Sequence, residues 1–229
     1  MFEEKRFGLE TLVLRGMKDM TRRLVKLPEG IEPDDVEKAE KHIDKKGRVY
    51  FTLTVKGKTF EECNIYPKYQ VGEEVAVAQA YKDIIARIAS TTTPHSHDWM
   101  RDKNGWNNKM FVLADLMPRR IRIKSVKMER LQDISDEDCR KEGIIPIQWK
   151  QWLKQDINDF SPQKCRLHNL WTLPKFEEGL LDSWADREPD SFMAESPQIA
   201  FYVIIIKTMS KKVWQQNPWV FAYTFELLG

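Results

Sequence analysis

MPRRIRIKSVKMERLQDISDEDCRKEG, at residues 117–143, holds the clearest strand of the chain, followed at once by its clearest helix. In the first half, Ile121 and Ile123 alternate with charged residues, and the side chains of a strand alternate between the two faces of a sheet. The segment therefore predicts a strand with one apolar and one basic face. The basic face consists of Arg120, Arg122 and Lys124.

The second half of this stretch carries both end signals of a short helix. Ser135 favours the N-cap position, and the acidic Glu137 and Asp138 suit the first turn. Gly143 stands where a helix commonly ends, because glycine adopts the left-handed conformation at little cost. The sequence therefore predicts a helix between Ser135 and Gly143.

The rest of the chain alternates short helices, strands and polar connections. A helix is predicted to end at Gly16, and a polar loop is predicted to follow it. The stretch at 198–212 has the β-branched content of a strand but the length of a helix, and we predict a helix because several of its apolar residues share a face. Further predicted elements are a hairpin around Lys56-Gly57-Lys58, a strand through Val75 and Val77, a loop at 90–108 and a closing strand at 217–228.

These elements are typical of an α+β fold around a small β-barrel with short flanking helices, in a single domain over residues 1–229. Residues 27–47 are rich in turn-forming and charged residues, and we expect a surface excursion over 27–65 that also holds the hairpin. Residues 145–197 are dense in Trp and Pro. We expect a mainly helical insertion there, with helices at 147–157 and 176–185.

Two basic segments carry more than the whole formal net charge of +2. Residues 11–26 hold five basic residues and one acidic residue, and residues 115–130 hold six basic and two acidic residues. Each segment has an excess of +4, so the remainder sums to −6. This distribution indicates one positively charged face that would steer an anionic ligand. The alternative is that these charges only keep exposed strand faces soluble.

The composition argues against several classes of protein. No apolar run approaches the roughly 18 residues of a membrane span, and the first residues are charged where a signal peptide would be apolar, so we expect a cytoplasmic protein without a membrane partner. Three scattered cysteines predict free thiols. His95 and His97 lack further ligands nearby, as do Cys165 and His168, so neither a metal nor a cofactor is expected.

GMKDMTRR, at residues 16–23, resembles the loop signature Gly-x-Lys-x-x-Glu-x-Arg of the ASCH domain, a PUA-like β-barrel. Thr21 takes the place of the Glu, and this variant is similar to small bacterial ASCH proteins that hydrolyse acetylcytidine. In that branch a Lys and a Thr of the loop work with a Glu at the end of a later helix. The resemblance implies that Lys18 and Thr21 face Glu142.

Four blocks of the chain share this resemblance in the expected order, at 8–26, 66–83, 114–145 and 198–228. Together they are similar to ASCH-like proteins of phages and prophages. The chain departs from them at Ala78-Gln79-Ala80, where the phage-type proteins usually carry Val-Arg-Glu. This exchange removes two charges from a wall of the pocket.

The resemblance implies a pocket that binds RNA or a modified nucleoside. Lys18, Thr21 and Glu142 would offer hydrogen-bond donors and acceptors to the edge of a base. The ligand-binding set is completed by basic residues, namely Arg22, Arg23, Arg120, Arg122 and Lys124. The outward basic row would contact a nucleic-acid backbone and the pocket would hold the base.

Other interpretations stay open at this point. In an amidohydrolase of acetylcytidine-like nucleosides, Thr21 would be the nucleophile, Lys18 the base and Glu142 the proton donor. In a phage-derived interaction protein, the insertion at 145–197 would bind a host or phage protein. A plainer interpretation is that Lys18 and Glu142 form an ion pair that closes the barrel.

Overall fold

The computed structural model describes residues 9–56, 63–88, 98–107, 109–152, 165–172 and 194–228. The strands in these ranges are β1 (Met20–Leu24), β2 (Val36–Ile43), β3 (Val49–Val55), β4 (Cys63–Ile65), β5 (Glu74–Ala76), β6 (Arg120–Arg130), β7 (Ile145–Trp152), β8 (Cys165–Thr172) and β9 (Trp219–Leu228). The helices are α1 (Leu9–Leu14), α2 (Tyr81–Ile88), α3 (Asp136–Lys141), α4 (Pro197–Thr208) and α5 (Lys211–Gln216).

Strand β9 lies inside the larger sheet, which is antiparallel and has the order β1-β9-β6-β5. On one face of β9, Val220 packs with the helices α3 and α4. On the other face, Phe221, Tyr223 and Phe225 pack with residues of β3 and β6. Because both faces are buried, β9 is a nearly continuous apolar run. The sheet curls into a half-barrel.

The strand and the helix predicted from residues 117–143 are confirmed. Ile123 of β6 is buried, whereas Arg122 and Lys124 are exposed on the opposite face. The Ser135 hydroxyl accepts a hydrogen bond from the Asp138 amide at 3.1 Å, as expected for an N-cap. Gly143 follows α3 with a positive φ of 98°.

The helix predicted at 198–212 is also confirmed, as α4. It begins after Ser196, whose hydroxyl accepts from the Ile199 amide at 3.2 Å. Phe201, Ile204 and Ile205 are buried against α3, β8 and β9. The packing of this apolar face decides between helix and strand, a choice that the β-branched composition alone left open.

The loop predicted after Gly16 is wrong in its second half. The predicted helix ends as expected, as α1, and Gly16 has a positive φ of 68°. Residues 20–24 then form strand β1, which pairs with β9. The charged sequence of this strand suggested a loop, but pairing with an apolar strand overrides the local preference. Thr21 and Arg23 therefore lie on a strand and not in a loop.

The described strands within 27–65 form a second antiparallel sheet in the order β2-β3-β4. The predicted pairing of the two hairpin strands is confirmed, since Phe51 of β3 lies opposite Ile65 of β4, whereas most of the predicted turn at 56–58 lies outside the described residues. Strand β2 was missed, because its charged sequence does not alternate clearly between apolar and polar residues. It is joined to β3 by a turn in which the Asp44 carboxylate accepts hydrogen bonds from the amides of Lys46 and Arg48, at 2.8 and 2.9 Å.

The mainly helical interpretation of residues 145–197 is wrong for β7 and β8, which are the strands that the structure describes in this range. Residues 147–152, which form the first half of the helix predicted at 147–157, lie instead in strand β7. This strand pairs along its full length with β8. Ile145, Ile147 and Trp149 alternate with polar residues or Pro, a period of two that suits a strand. The helix predicted at 176–185 and much of the loop at 90–108 lie outside the described residues.

The protein is of mixed helix and strand content, and its main sheet is a half-barrel. This agrees with the predicted α+β class and with a sheet that curls as in a small barrel. Within the described ranges, no helix has the length and apolar character needed to cross a membrane.

Candidate functional site

A cavity of about 700 Å³ adjoins strand β1, at the end of the half-barrel sheet. Four consecutive residues of this strand, 21–24, line the cavity. Because successive side chains of a strand point to opposite faces, a cavity on one face would contact only every second residue. At β1 the cavity therefore touches both faces of the sheet, and it extends across the face that carries Phe221 as far as β6 and β5, where Ile123 and Val75 line it.

The walls of the cavity are mainly apolar and include residues of the two largest hydrophobic clusters in the described part of the chain. Phe221, Tyr223 and Phe225 of β9 form one wall. Phe201 and Ile205 of α4, which pack on the other face of the sheet, contribute to the opposite wall. An apolar cavity of this volume with a few polar groups is typical of a small-molecule site.

The charged side chains at the cavity are mostly basic. Among the described residues that line it, six are basic and one is acidic. The basic residues are Lys18, Arg22, Arg23, Lys26, Lys68 and Lys109, and the acidic residue is Glu142. Arg23, Lys26 and Lys68 are exposed, so the positive charge is concentrated where solvent reaches the cavity. An anionic group would be attracted to this mouth.

Lys18 and Glu142 form a buried ion pair. The Lys18 ammonium donates to the Glu142 carboxylate and, at 3.3 Å, to its main-chain oxygen. The segment that carries Lys18 is tied to α3 by the Asp19 amide, which donates to the Lys141 carbonyl at 3.0 Å. The ion pair predicted as the plainer interpretation is present, and it lies at the wall of the cavity.

Close approach of α3 to α1 depends on Gly143. A Cβ atom added there would lie 2.7 Å from Leu12 Cδ1 and 3.5 Å from Lys18 Cβ. Its φ of 98° is also one that L residues rarely adopt. Gly143 therefore allows Glu142 to reach Lys18.

Arg22 is almost entirely buried and is bound by three carboxylates. It donates to Glu129 at 2.6 and 3.0 Å, to Glu142 at 2.9 Å and to Asp138 at 3.1 Å. Burial lowers the pKa of Arg22, but the charges of Glu142 and Glu129 outweigh it and raise the pKa above its usual value. Most of its donors are therefore used within the protein, and one of them holds the Glu142 carboxylate.

Lys127 extends this network from the exposed face of β6. It donates to Asp138 and lies 2.8 Å from the Glu129 carboxylate. The network thus contains three basic and three acidic side chains, namely Lys18, Arg22 and Lys127 with Glu129, Asp138 and Glu142. Balanced charge and mutual hydrogen bonds offset the cost of burying these groups.

Thr21 and Arg23 lie on the other face of β1 from Arg22. Their cross-strand neighbours are Tyr223 and Phe221, whose rings line the cavity. Among the described residues, no hydrogen bond joins the Thr21 hydroxyl to Lys18 or Glu142. The structure therefore brings the predicted residues to one cavity, but it places Thr21 and the ion pair on different sides of the edge strand.

The predicted basic row lies away from the cavity. Arg122 donates to Glu74 at 2.7 Å and to Glu226 at 3.5 Å, and Lys124 donates to Glu226 at 3.1 Å. Arg120 lies 3.9 Å from Asp115. The hydrogen bond and charge of Glu74 raise the pKa of Arg122. These carboxylates neutralise much of the positive face that the segment 115–130 predicted.

Two basic residues that line the cavity, Lys68 and Lys109, were not predicted from the sequence. Lys68 lies between β4 and β5, and Lys109 precedes β6, whereas Lys26 belongs to the predicted basic segment 11–26. Lys68 and Lys109 come from separate segments, so no local charge run indicates that they meet. Only the tertiary fold brings them to one place.

The hydroxyl of Tyr223 is buried and makes no hydrogen bond of normal geometry within the described part of the chain. Burial raises the pKa of this group to about 12. Of residues 78–80, Ala78 lines the cavity, whereas Gln79 and Ala80 are buried and do not line it. The two positions that were expected to lack a charge on a wall of the pocket are therefore not part of that wall.

Comparison with protein-family models, with curated proteins and with solved structures finds no match for this chain. In the described ranges, no three His, Cys, Asp or Glu side chains are grouped as metal ligands.

Proposed function

We propose that the cavity binds a nucleoside or nucleotide, either free or as part of RNA, as in the PUA-like ASCH domains that the sequence resembles. The supporting observation is the combination of mainly apolar, aromatic walls with six basic and one acidic lining residues. Apolar walls suit a planar base, and the basic mouth suits a phosphate. The volume of about 700 Å³ is within the usual range for a small-molecule ligand.

The base would pack along the aromatic wall of β9. Phe221 and Tyr223 present their rings to the cavity, and Tyr69 meets Tyr223 edge-on at 5.7 Å between ring centroids. The Thr21 hydroxyl on the neighbouring strand both donates and accepts hydrogen bonds, so it suits the polar edge of a base. Glu142 uses both carboxylate oxygens on Lys18 and Arg22 and keeps this side of the cavity ordered.

The phosphate would bind at the exposed basic mouth. Arg23 is on the same strand face as Thr21, and its planar guanidinium can bind two phosphate oxygens at once. Lys26 and Lys68 add charge on either side of the opening. A nucleotide therefore contacts both the basic mouth and the apolar walls. A neutral apolar molecule would leave the basic mouth without an anion, and inorganic phosphate would leave the apolar walls without an apolar partner.

Titration calorimetry with the four ribonucleoside monophosphates, the matching nucleosides and acetylcytidine tests this proposal. We expect at least one nucleotide to bind more tightly than its nucleoside, and Arg23→Gln to weaken that binding by roughly tenfold or more. Arg122→Gln is the matched control, because Arg122 lies outside the cavity. Equal weakening by both variants, or no binding by any of these compounds, would contradict the proposal.

A second candidate function is hydrolysis of acetylcytidine-like nucleosides. It is favoured by one observation, that Lys18, Thr21 and Glu142 all line the same cavity. The wild-type protein would then release cytidine from acetylcytidine, as followed by chromatography. Thr21→Val removes the nucleophile but keeps the shape of the side chain and should abolish turnover. Equal rates for the two proteins would exclude this function.

A further inference from the structure

A row of three aromatic rings crosses the outer face of the β2-β3-β4 sheet. His42 of β2 lies directly opposite Tyr50 of β3, and their ring centroids are 5.2 Å apart in a stacked arrangement. Tyr66, which follows β4, continues the row at 5.5 Å from Tyr50. The inner face of the same sheet packs into the core through Phe51 and Leu53. The row therefore points away from the core.

Arg48 adds a flat cation to one end of this row. Its guanidinium lies 4.9 Å from the centroid of the Tyr66 ring. The Asp44 carboxylate holds it there with a hydrogen bond from Nε at 2.9 Å. Tyr66 is 45% exposed, so the end of the row is open to solvent. Planar rings and guanidinium groups are the surfaces on which nucleic-acid bases stack.

Basic residues lie at both ends of the row, and the one acidic neighbour on the same face of β2, Glu40, is paired with Lys38. The turn beside it carries the exposed Lys45 and Lys46, and Lys68 lies just beyond Tyr66. Aromatic rings interleaved with basic side chains are the usual combination for a single-stranded polynucleotide, because bases and phosphates alternate along the strand. A duplex hides the faces of its bases, so it cannot use such a row.

Tyr66 and Lys68 also line the cavity described above. The row and the cavity mouth therefore adjoin at Tyr66 and Lys68. A polynucleotide with one nucleotide in the cavity can continue onto the row, which a single nucleotide cannot do.

We infer that the outer face of the β2-β3-β4 sheet binds single-stranded RNA, with bases packed against those surfaces of His42, Tyr50, Tyr66 and Arg48 that their mutual contacts leave exposed. The inference extends the proposed function, since one nucleotide of the strand would occupy the cavity. It is nevertheless a separate site, because His42 and Tyr50 do not line the cavity.

Fluorescence anisotropy with a labelled single-stranded RNA of about a dozen nucleotides tests the row. Tyr50→Val keeps a residue that suits a strand and removes the ring. We expect at least about fivefold weaker binding for Tyr50→Val, because each stacked base depends on its aromatic partner. Tyr50→Phe retains the ring and should bind RNA like the wild type. Ile43→Thr, on the other face of β2, is the matched control and should also bind normally.

Several results would overturn the inference. These are unchanged binding by Tyr50→Val, no RNA binding at low salt, equal binding of a duplex of the same sequence, or tighter binding of the corresponding single-stranded DNA. A dimer of the protein that dissociates in Tyr50→Val without RNA would assign the face to a second copy of the chain instead.

Mononucleotide calorimetry on Tyr50→Val separates this inference from the proposed function. If the cavity binds nucleotides, that binding should be unchanged in Tyr50→Val while RNA binding weakens. If mononucleotides fail to bind and RNA binding still depends on Tyr50, the proposed function fails and the outer site stands.

Discussion

Thr21 and Glu142 reach one cavity from opposite sides of the edge strand β1. Thr21 shares its strand face with the aromatic wall of β9, whereas Glu142 meets Arg22 on the other face. The two residues therefore have different roles. Glu142 belongs to a buried network of charges, and Thr21 is available to a ligand.

Replacement of Glu142 by Gln should strongly destabilise the protein. The change leaves Lys18 and Arg22 buried with one counter-charge fewer, and removing one partner of a buried ion pair typically costs about 3–5 kcal/mol. Urea unfolding measures this free energy. Thr21→Val is the matched control, because Thr21 lies outside the network, and we expect a change of at most about 0.5 kcal/mol. Similar losses of unfolding free energy in both variants would contradict these separate roles of Glu142 and Thr21.

Acid should weaken the fold through Asp138. Burial raises the pKa of this carboxyl, but Lys127 and Arg22 outweigh burial and hold it below its ordinary value. The folded state therefore binds a proton less readily than the unfolded state. The stabilisation is present above about pH 4 and is lost as the pH falls below it toward the folded pKa.

Urea unfolding at a series of pH values between 7 and 3 measures this loss. Asp138→Asn lacks the titrating group and should give a flatter dependence on pH in the acid range. An identical acid dependence in the variant would show that other carboxyls account for the loss.

Cys139 should not react with alkylating reagents in the folded protein. Its thiol is fully buried, and burial raises its pKa to about 12, so little thiolate is present at pH 8. Peptide mass spectrometry after iodoacetamide treatment should show modification of Cys139 only when guanidinium is added. Rapid modification under native conditions would mean that α3 opens readily.

Gly143→Ala should destabilise the protein by roughly 2–3 kcal/mol, because it combines a left-handed backbone with a close contact to Leu12. Gly47→Ala provides the comparison. Gly47 has a φ of 76°, but a Cβ there meets nothing within 4 Å, so only the backbone cost of about 1 kcal/mol is expected. Thermal or urea unfolding measures the stability of both variants. Equal losses of stability would show that the Leu12 side chain moves aside at no energetic cost.

The sequence predicted best those elements whose signals are local. The cap at Ser135, the positive φ of Gly143 and the alternation of Ile121 and Ile123 all arise within a few residues. Strands β1 and β2 were missed because their charged sequences become strands only through their partners. Strand β7 was mistaken for a helix because the period of two in Ile145, Ile147 and Trp149 was overlooked, although it is a local signal.

In the candidate site, the residues themselves were predicted better than their arrangement. Lys18, Thr21 and Glu142 were selected by resemblance, and the structure places them at one cavity. The faces on which they stand depend on β1 being a strand, which the sequence did not indicate. Tyr50 and Tyr66 come together only when the second sheet has formed, so their contact could not be predicted from the sequence. The same holds for the position of Lys68 at the cavity.

The position of β9 also has a consequence for the order of folding. Thr21 pairs with Tyr223, about 200 positions later in the chain, and β6 has β9 as its main neighbour. The half-barrel therefore cannot close while residues 219–228 are still inside the ribosome, and until then β1 lacks its partner strand β9. Contacts of such long separation slow folding, so a nascent chain of this protein is exposed to mispairing until β9 has been synthesised.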